Sequence, residues 1–477
     1  MDIKQKVLSS LGWNGGAKFV GQLVTWAVTI IVMRLLTPED YGLMAMATVF
    51  IAFLALLNEL GLGAALVQKQ EIDETTLRQA FGVLLVINFC LFLILLLSAP
   101  LVGIFFEEQR VVPVIRLLSL QFIIMPFATI PQSLLVREMN FRTISIVDFI
   151  SAIVGSATTL ILAYLGHGIW SLVWGSMATI GSRTIGLNVV SPYPRLPIFS
   201  PKGLTKIVTF GGYVTISNVF WFFYTQADIF IIGKLLGKEM LGFYSVAMYL
   251  SCSPMEKASG IINQVAFPAF SSVQNDLQKV RSYFLKAVRI MSLLAFPVLW
   301  GISSIAPELV GTLLGDKWHL AVLPFQLLSL VISIRMISNL MAPALLGLGR
   351  PDISFSNVLF GSIVMPICIL IATHWGLVGV SLAWVLVFPL VFLRNLSRAA
   401  PVLGLGSSEV LAAMVRPVLA ALMMYASIIG TKMIFGTNVQ SVAHLILLVI
   451  QGAVVYIGVI MSFHRHGFQE VLSLVRR

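Results

Sequence analysis

Asn14, Lys18, Gln22 and Thr25 are spaced by four, four and three residues within an otherwise apolar run, which places all four on one helical face. A second stripe joins Ser253, Lys257, Gly260 and Gln264, with Glu256 and Asn263 beside it. Arg335 and Asn339 lie one turn apart in a third run. Asn218, Thr225 and Asp228 share one arc of a fourth, and Asn58-Glu59 closes the apolar run of a fifth. Ionisable side chains at such depth are costly and normally face a bundle interior or a wet cavity. Local uses compete with that reading. Lys18 is placed to snorkel to the inner headgroups, Lys257 to pair with Glu256, Asp228 to pair with Lys234, and Glu59 to cap or pair nearby. Arg335 lies too near mid-span to snorkel, so a cavity role suits it best. Asp148 is close to the inner interface and reads as structural. No catalytic constellation accompanies these stripes. The six histidines are scattered, and there is no P-loop, Gly-x-Ser-x-Gly or His-x-x-x-His spacing, so neither an enzyme site nor a metal site is indicated.

The elements that must position these residues occur twice. Arg34-Leu-Leu-Thr-Pro-Glu-Asp-Tyr-Gly-Leu43 returns 200 positions later as Lys234-Leu-Leu-Gly-Lys-Glu-Met-Leu-Gly-Phe243. Likewise Gly166…Ser171-Leu-Val-Trp174 returns as Gly376…Ser381-Leu-Ala-Trp384, at an offset of 210. The polar stripes fall at matching places in the two copies. Duplicated membrane bundles that face each other are a usual frame for alternating-access transport, with the substrate site at the repeat interface.

Composition sets the class. The chain has 477 residues, 58% hydrophobic and 11% charged, against about 25% charged in soluble domains. Nearly uncharged runs of about 20 residues recur along its length, enough to cross a bilayer as helix. The short alternating segments of a membrane β-barrel are absent. The expected fold is all-α and polytopic, with about fourteen transmembrane helices: two parallel six-helix repeats and two further C-terminal helices. The expected organisation is an N-terminal bundle over 1–190, a proline-rich cytoplasmic linker over 191–208, a second bundle over 209–398, and two more spans with a tail over 399–477. Prolines 126, 131, 254, 297, 343, 366 and 389 are expected to allow bending within spans.

With the N-terminus inside, twenty-one of the 31 basic residues fall at cytoplasmic faces, seven at outer faces and three at membrane depth. That bias fixes both termini in the cytoplasm. The net charge of +11 therefore reports topology and gives no sign of a nucleic-acid partner. Cys90, Cys252 and Cys368 lie apart inside apolar runs, which excludes a disulfide framework. The first apolar segment lacks a cleavage site and reads as a retained anchor.

Four segments carry a resemblance that spans the chain: Arg34-Leu-Leu-Thr-Pro-Glu-Asp-Tyr-Gly-Leu-Met-Ala45, Asn58-Glu-Leu-Gly-Leu-Gly-Ala-Ala-Leu-Val-Gln68, Arg137-Glu-Met-Asn-Phe-Arg142 and Leu346-Gly-Leu-Gly-Arg-Pro-Asp352. The chain resembles the polysaccharide-transporter (lipid-linked oligosaccharide flippase) family of the multidrug/oligosaccharidyl-lipid/polysaccharide exporter superfamily. Within it, it is most similar to colanic-acid-type and teichuronic-acid-type exporters. The resemblance implies export of undecaprenyl-diphosphate-linked oligosaccharide across the bacterial inner membrane, in company with membrane lipids and polysaccharide-assembly proteins. It gives Lys18, Lys257 and Arg335 the diphosphate, and Asn14, Gln22, Asn218, Gln264 and Asn339 the sugar hydroxyls. Glu59, Asp228 and Glu256 become candidates for coupling to protons or sodium; no other cofactor is implied. A cationic-drug exporter of the same superfamily would want a cavity dominated by carboxylates. A polysaccharide polymerase or ligase would want a long outer loop, and the outer loops are short. An inert scaffold would have no use for paired polar stripes.

Overall fold

The computed structural model describes residues 25–58, 73–193, 195–199, 205–435 and 441–463. Among them every regular element is helical, as the bilayer demands, since a helix alone satisfies the backbone within a single segment. Among the described residues eight helical stretches are long and apolar enough to cross a membrane, or nine when Val111–Ile124 and Pro126–Arg137 count as one bent span. The chain is a multi-pass membrane protein of the expected class, and the count of fourteen rests on the sequence.

The chain divides into two compact units. One comprises Met1–Phe222 with Gly237–Gly242, and the other comprises Phe223–Leu236 with Phe243–Arg477. In the first unit, Phe141–Tyr164 and Ile169–Val190 pack as an antiparallel pair. Gly155 and Gly175 let the backbones approach. A Cβ on Gly155 would lie 1.7 Å from Thr179 Oγ1, and one on Gly175 the same distance from Thr159 Oγ1. Asp148, read as structural, bonds Arg183 across this pair at 2.7 Å. In the second unit, Pro351–Ala372 and Gly376–Ala399 form a hairpin turned by Thr373–Trp375. Asn357 Nδ2 reaches the Asn395 carbonyl at 3.4 Å near its open end. Apolar side chains are left exposed along several helices. Ile94, Leu97, Leu101 and Ile104 form one exposed stripe along Glu74–Phe105, the surface that lipid covers.

Proline stands at a helix break in two of the expected places. Pro126 begins a helix turned 44° from the one before it, and Pro343 follows an interruption between Ser338 and Met341. Pro254, Pro297, Pro366 and Pro389 lie inside continuous helices. Proline is tolerated within membrane helices, where neighbouring helices, Ser/Thr side chains and local adjustments can re-satisfy the freed backbone groups.

The repeated motif is a helix start. Thr37 caps Pro38–Asn58: its N–H and hydroxyl donate to Asp40 Oδ2 at 3.0 and 2.7 Å, and the Asp40 N–H returns a bond to Thr37 Oγ1 at 3.3 Å. Proline follows at the first helical position, where its missing N–H costs nothing. In the first unit this helix start lies against Gly237–Gly242, and the contact is reciprocal. A Cβ on Gly42 would fall 1.7 Å from the Lys238 carbonyl oxygen, and one on Gly242 would fall 1.8 Å from that of Pro38. Neither carbonyl can move without breaking its helix. Gly42→Val is therefore expected to cut membrane abundance several-fold. Blotting of isolated membranes checks this, and wild-type abundance would show that the contact yields easily.

Charges surround the clasp. Lys238 Nζ lies 2.6 Å from Glu108 and 3.6 Å from Glu39, and Arg110 lies 2.7 Å from Glu39. Burial pushes the Glu108 carboxyl up, but the Lys238 hydrogen bond and the Arg110 N–H and charge outweigh it, so Glu108 sits below its ordinary value of 4.5. A carboxylate depressed by folding stabilises above its unfolded pKa and loses that contribution as pH falls through the folded one. Wild type is thus expected to exceed Glu108→Gln in thermal stability at neutral pH, with the gap shrinking below pH 4.5. A gap constant with pH would remove Glu108 from the clasp's energetics.

Candidate functional site

Arg335 sits in the last turn of His319–Ser338, and the Asn339 N–H that ends this helix bonds the Arg335 carbonyl at 3.0 Å. The chain resumes as helix at Met341. The polar pair seen in the sequence thus stands at the interruption of its span. The Arg335 guanidinium lies over the Trp384 ring, 5.2 Å from its centroid, and no carboxylate among the described residues comes within salt-bridge distance of it. A cation over an indole face is held by the ring quadrupole, which leaves its five N–H donors for another partner.

Trp384 is buried in Gly376–Ala399. Its Nε1–H donates to Tyr244 Oη at 2.9 Å, and Tyr244 donates in turn to Asp228 Oδ2 at 2.5 Å. Asp228 Oδ1 accepts the Ile229 N–H at 2.9 Å. The carboxylate is buried within the second unit. The local pairing of Asp228 with Lys234 does not form, because Asp228 is turned inward onto Tyr244. Arg335 and Asp228, read separately from sequence, thus belong to one network. Sequence reasoning missed its two connecting residues. Each stands where the repeats differ or echo: Tyr244 directly follows the second motif copy, and Trp384 closes the Ser381-Leu-Ala-Trp384 echo.

Lys18, Asn14, Gln22 and Glu59 lie outside the described residues. Asn218, Glu256, Lys257 and Gln264 lie on the helices Thr205–Leu235 and Gly237–Ser272, with their side chains outside the description.

Two other places hold unusual chemistry. In the first unit, Asn58 and Asn88 are buried beside the bend, with Asn58 Nδ2 3.8 Å from Met125 Sδ and Asn88 Nδ2 3.4 Å from the Asn58 carbonyl. In the second, Lys432 is buried. Its Nζ donates to Glu308 at 2.5 Å and to the Ser304 carbonyl at 2.6 Å. An apolar cavity of roughly 360 Å³ lies between Leu277–Ser304, Ser407–Phe435 and Val442–Phe463, against Pro297, Ile305, Met424, Leu448 and Tyr456. Its lining has no charged side chain, so an anion finds no partner there. Among the described residues no His, Cys, Asp and Glu group could hold a metal ion.

Residues 31–323 match the family described as "Polysaccharide biosynthesis protein". The chain belongs to that family. Other polysaccharide biosynthesis proteins resemble it over most of their length. The succinoglycan biosynthesis transport protein ExoT of Rhizobium meliloti (strain 1021) is 26% identical, covering 98% of this chain and 96% of its own. The lipopolysaccharide biosynthesis protein WzxC of Escherichia coli (strain K12) is 24% identical, covering 81% and 79%. Among solved structures, the lipid II flippase MurJ in an inward closed conformation shares the fold, with a TM-score of 0.75 at 13% identity over 95% of this chain and 99% of that one.

Proposed function

We propose that this chain flips undecaprenyl-diphosphate-linked oligosaccharide from the cytoplasmic to the outer leaflet of a bacterial inner membrane, by alternating access. The observation that carries this reading is Arg335, an intramembrane guanidinium stacked on Trp384 with no carboxylate at salt-bridge distance among the described residues. A cation with no ion-pair partner at salt-bridge distance among the described residues gains when a diphosphate arrives. The sugar's hydroxyls then meet the amides of Asn339 and, with Lys18 and Lys257, the other polar positions of the stripes. The relatives' roles in surface-polysaccharide biosynthesis agree with this substrate class. No chemical step on the substrate is assigned to the chain; it is a transporter. Asp228, with Glu59 and Glu256, is the candidate for coupling transport to protons or sodium. Both termini lie in the cytoplasm on this reading, where polysaccharide-assembly proteins meet the chain.

Deleting the gene and extracting lipid-linked intermediates tests the function. Accumulation of a prenyl-diphosphate oligosaccharide, cleared by restoring the gene, is the expected result. Normal intermediates together with lost efflux of cationic dyes would favour drug export instead.

A further inference from the structure

The second repeat carries a polar network that the first does without. At an offset of 200, Asp228 and Tyr244 correspond to Val28 and Met44; at 210, Trp384 corresponds to Trp174. Val28 packs with Val32, Leu36 and Ala163 in an apolar cluster. Trp174 is 48% exposed, whereas Trp384 is 1% exposed. The span equivalent to that of Arg335 has no Lys or Arg between Arg116 and Arg137. Equivalent helices therefore form in the first repeat without these groups, so helix formation does not account for them.

Trp384 stands at the joint. Its indole N–H only donates, so the bond to Tyr244 has a fixed direction, and the one hydroxyl proton of Tyr244 is left for Asp228. The face of the same ring carries Arg335. One side chain thus touches both the cation and the hydroxyl that reaches the carboxylate. We infer that Trp384 is a positioning residue with two separable jobs: its face seats the Arg335 guanidinium for the anionic headgroup, and its Nε1–H aims Tyr244 at Asp228. The inference rests on Arg335 being the anion site.

Phenylalanine keeps an aromatic face and deletes the N–H, so the jobs can be separated. Purified full-length protein in detergent is titrated with undecaprenyl diphosphate, and surface-polysaccharide output is measured in cells at matched membrane abundance. Trp384→Phe is expected to bind within about twofold of wild type, because a phenyl face still attracts a guanidinium. Trp384→Leu removes the face and is expected to bind about tenfold more weakly, with Arg335→Ala weaker still. Should Trp384→Leu fold poorly, Trp384→Met serves, since an unbranched thioether fills irregular space. Tyr244→Phe and Trp384→Phe should share a several-fold drop in output with affinity retained, a split that general loss of structure would not produce.

Wild-type affinity in Trp384→Leu, alongside weakened Arg335→Ala, would overturn the seating role alone. Equal losses of affinity in Trp384→Phe and Trp384→Leu would overturn the separation of jobs. Full output from Trp384→Phe would overturn the role of the N–H. Wild-type affinity in Arg335→Ala would instead overturn the anion site, and this inference with it.

Discussion

Arg335→Ala is expected to abolish surface-polysaccharide output while leaving the protein in the membrane at near-normal abundance. The guanidinium forms no ion pair at salt-bridge distance among the described residues, so its removal breaks none there, and a broken buried pair is the usual source of a large stability loss. What disappears is the seat for a diphosphate. Charge-assisted hydrogen bonds to ionised oxygens contribute about 1.5–3 kcal/mol each, and a bidentate guanidinium makes two. Arg335→Lys keeps the charge but loses the planar fork and the broad stacking surface, so partial output is expected. Output and membrane abundance must be read side by side. Normal output from Arg335→Ala would eliminate the site, and parallel loss of both would make Arg335 a structural bridge between helices.

Lys432→Ala is expected to show the opposite pattern, a collapse of stability. Lys432 and Glu308 are both buried, with side chains 6% and 4% exposed, and they meet at 2.5 Å. Removing one member leaves the other charge uncompensated in low dielectric, a loss of about 3–5 kcal/mol. Replacing both, as Lys432→Met with Glu308→Leu, removes the pair and its desolvation cost together and should recover most of the loss. Thermal unfolding of the three proteins in one detergent measures this. If the double variant is no more stable than the single one, the Lys432 bond to the Ser304 carbonyl, and not the ion pair, dominates.

These two residues also mark where the sequence stops being informative. The helical class and the duplication could be read directly, because lipid leaves the backbone few options and the two motif copies kept their Leu-Leu pair, Glu and Gly. The depth of Arg335 was equally plain. Which faces meet was not. The partner of Lys432 lies 124 positions away on another helix; no local pattern encodes such a pair. Asp228 had a cationic neighbour six positions on at Lys234, and one charge near another suggested a bond. The helix instead turns the carboxylate onto Tyr244. A comparison of the copies would have pointed there, since an apolar residue in one and a polar residue in the other flags a position the fold leaves free.

The reciprocal glycine contact carries a consequence for descent. Gly42 faces the backbone of Lys238, and Gly242 faces that of Pro38, so each gene copy supplies the obstacle that constrains its sister. After a duplication most positions can drift independently. These two cannot, because the backbone obstructing each glycine survives any change of side chain opposite it. Related sequences should therefore keep glycine in both copies, or lose it in both once the helix starts have moved apart. Sequences with glycine in a single copy should be rare, however far the remainder of the halves has diverged.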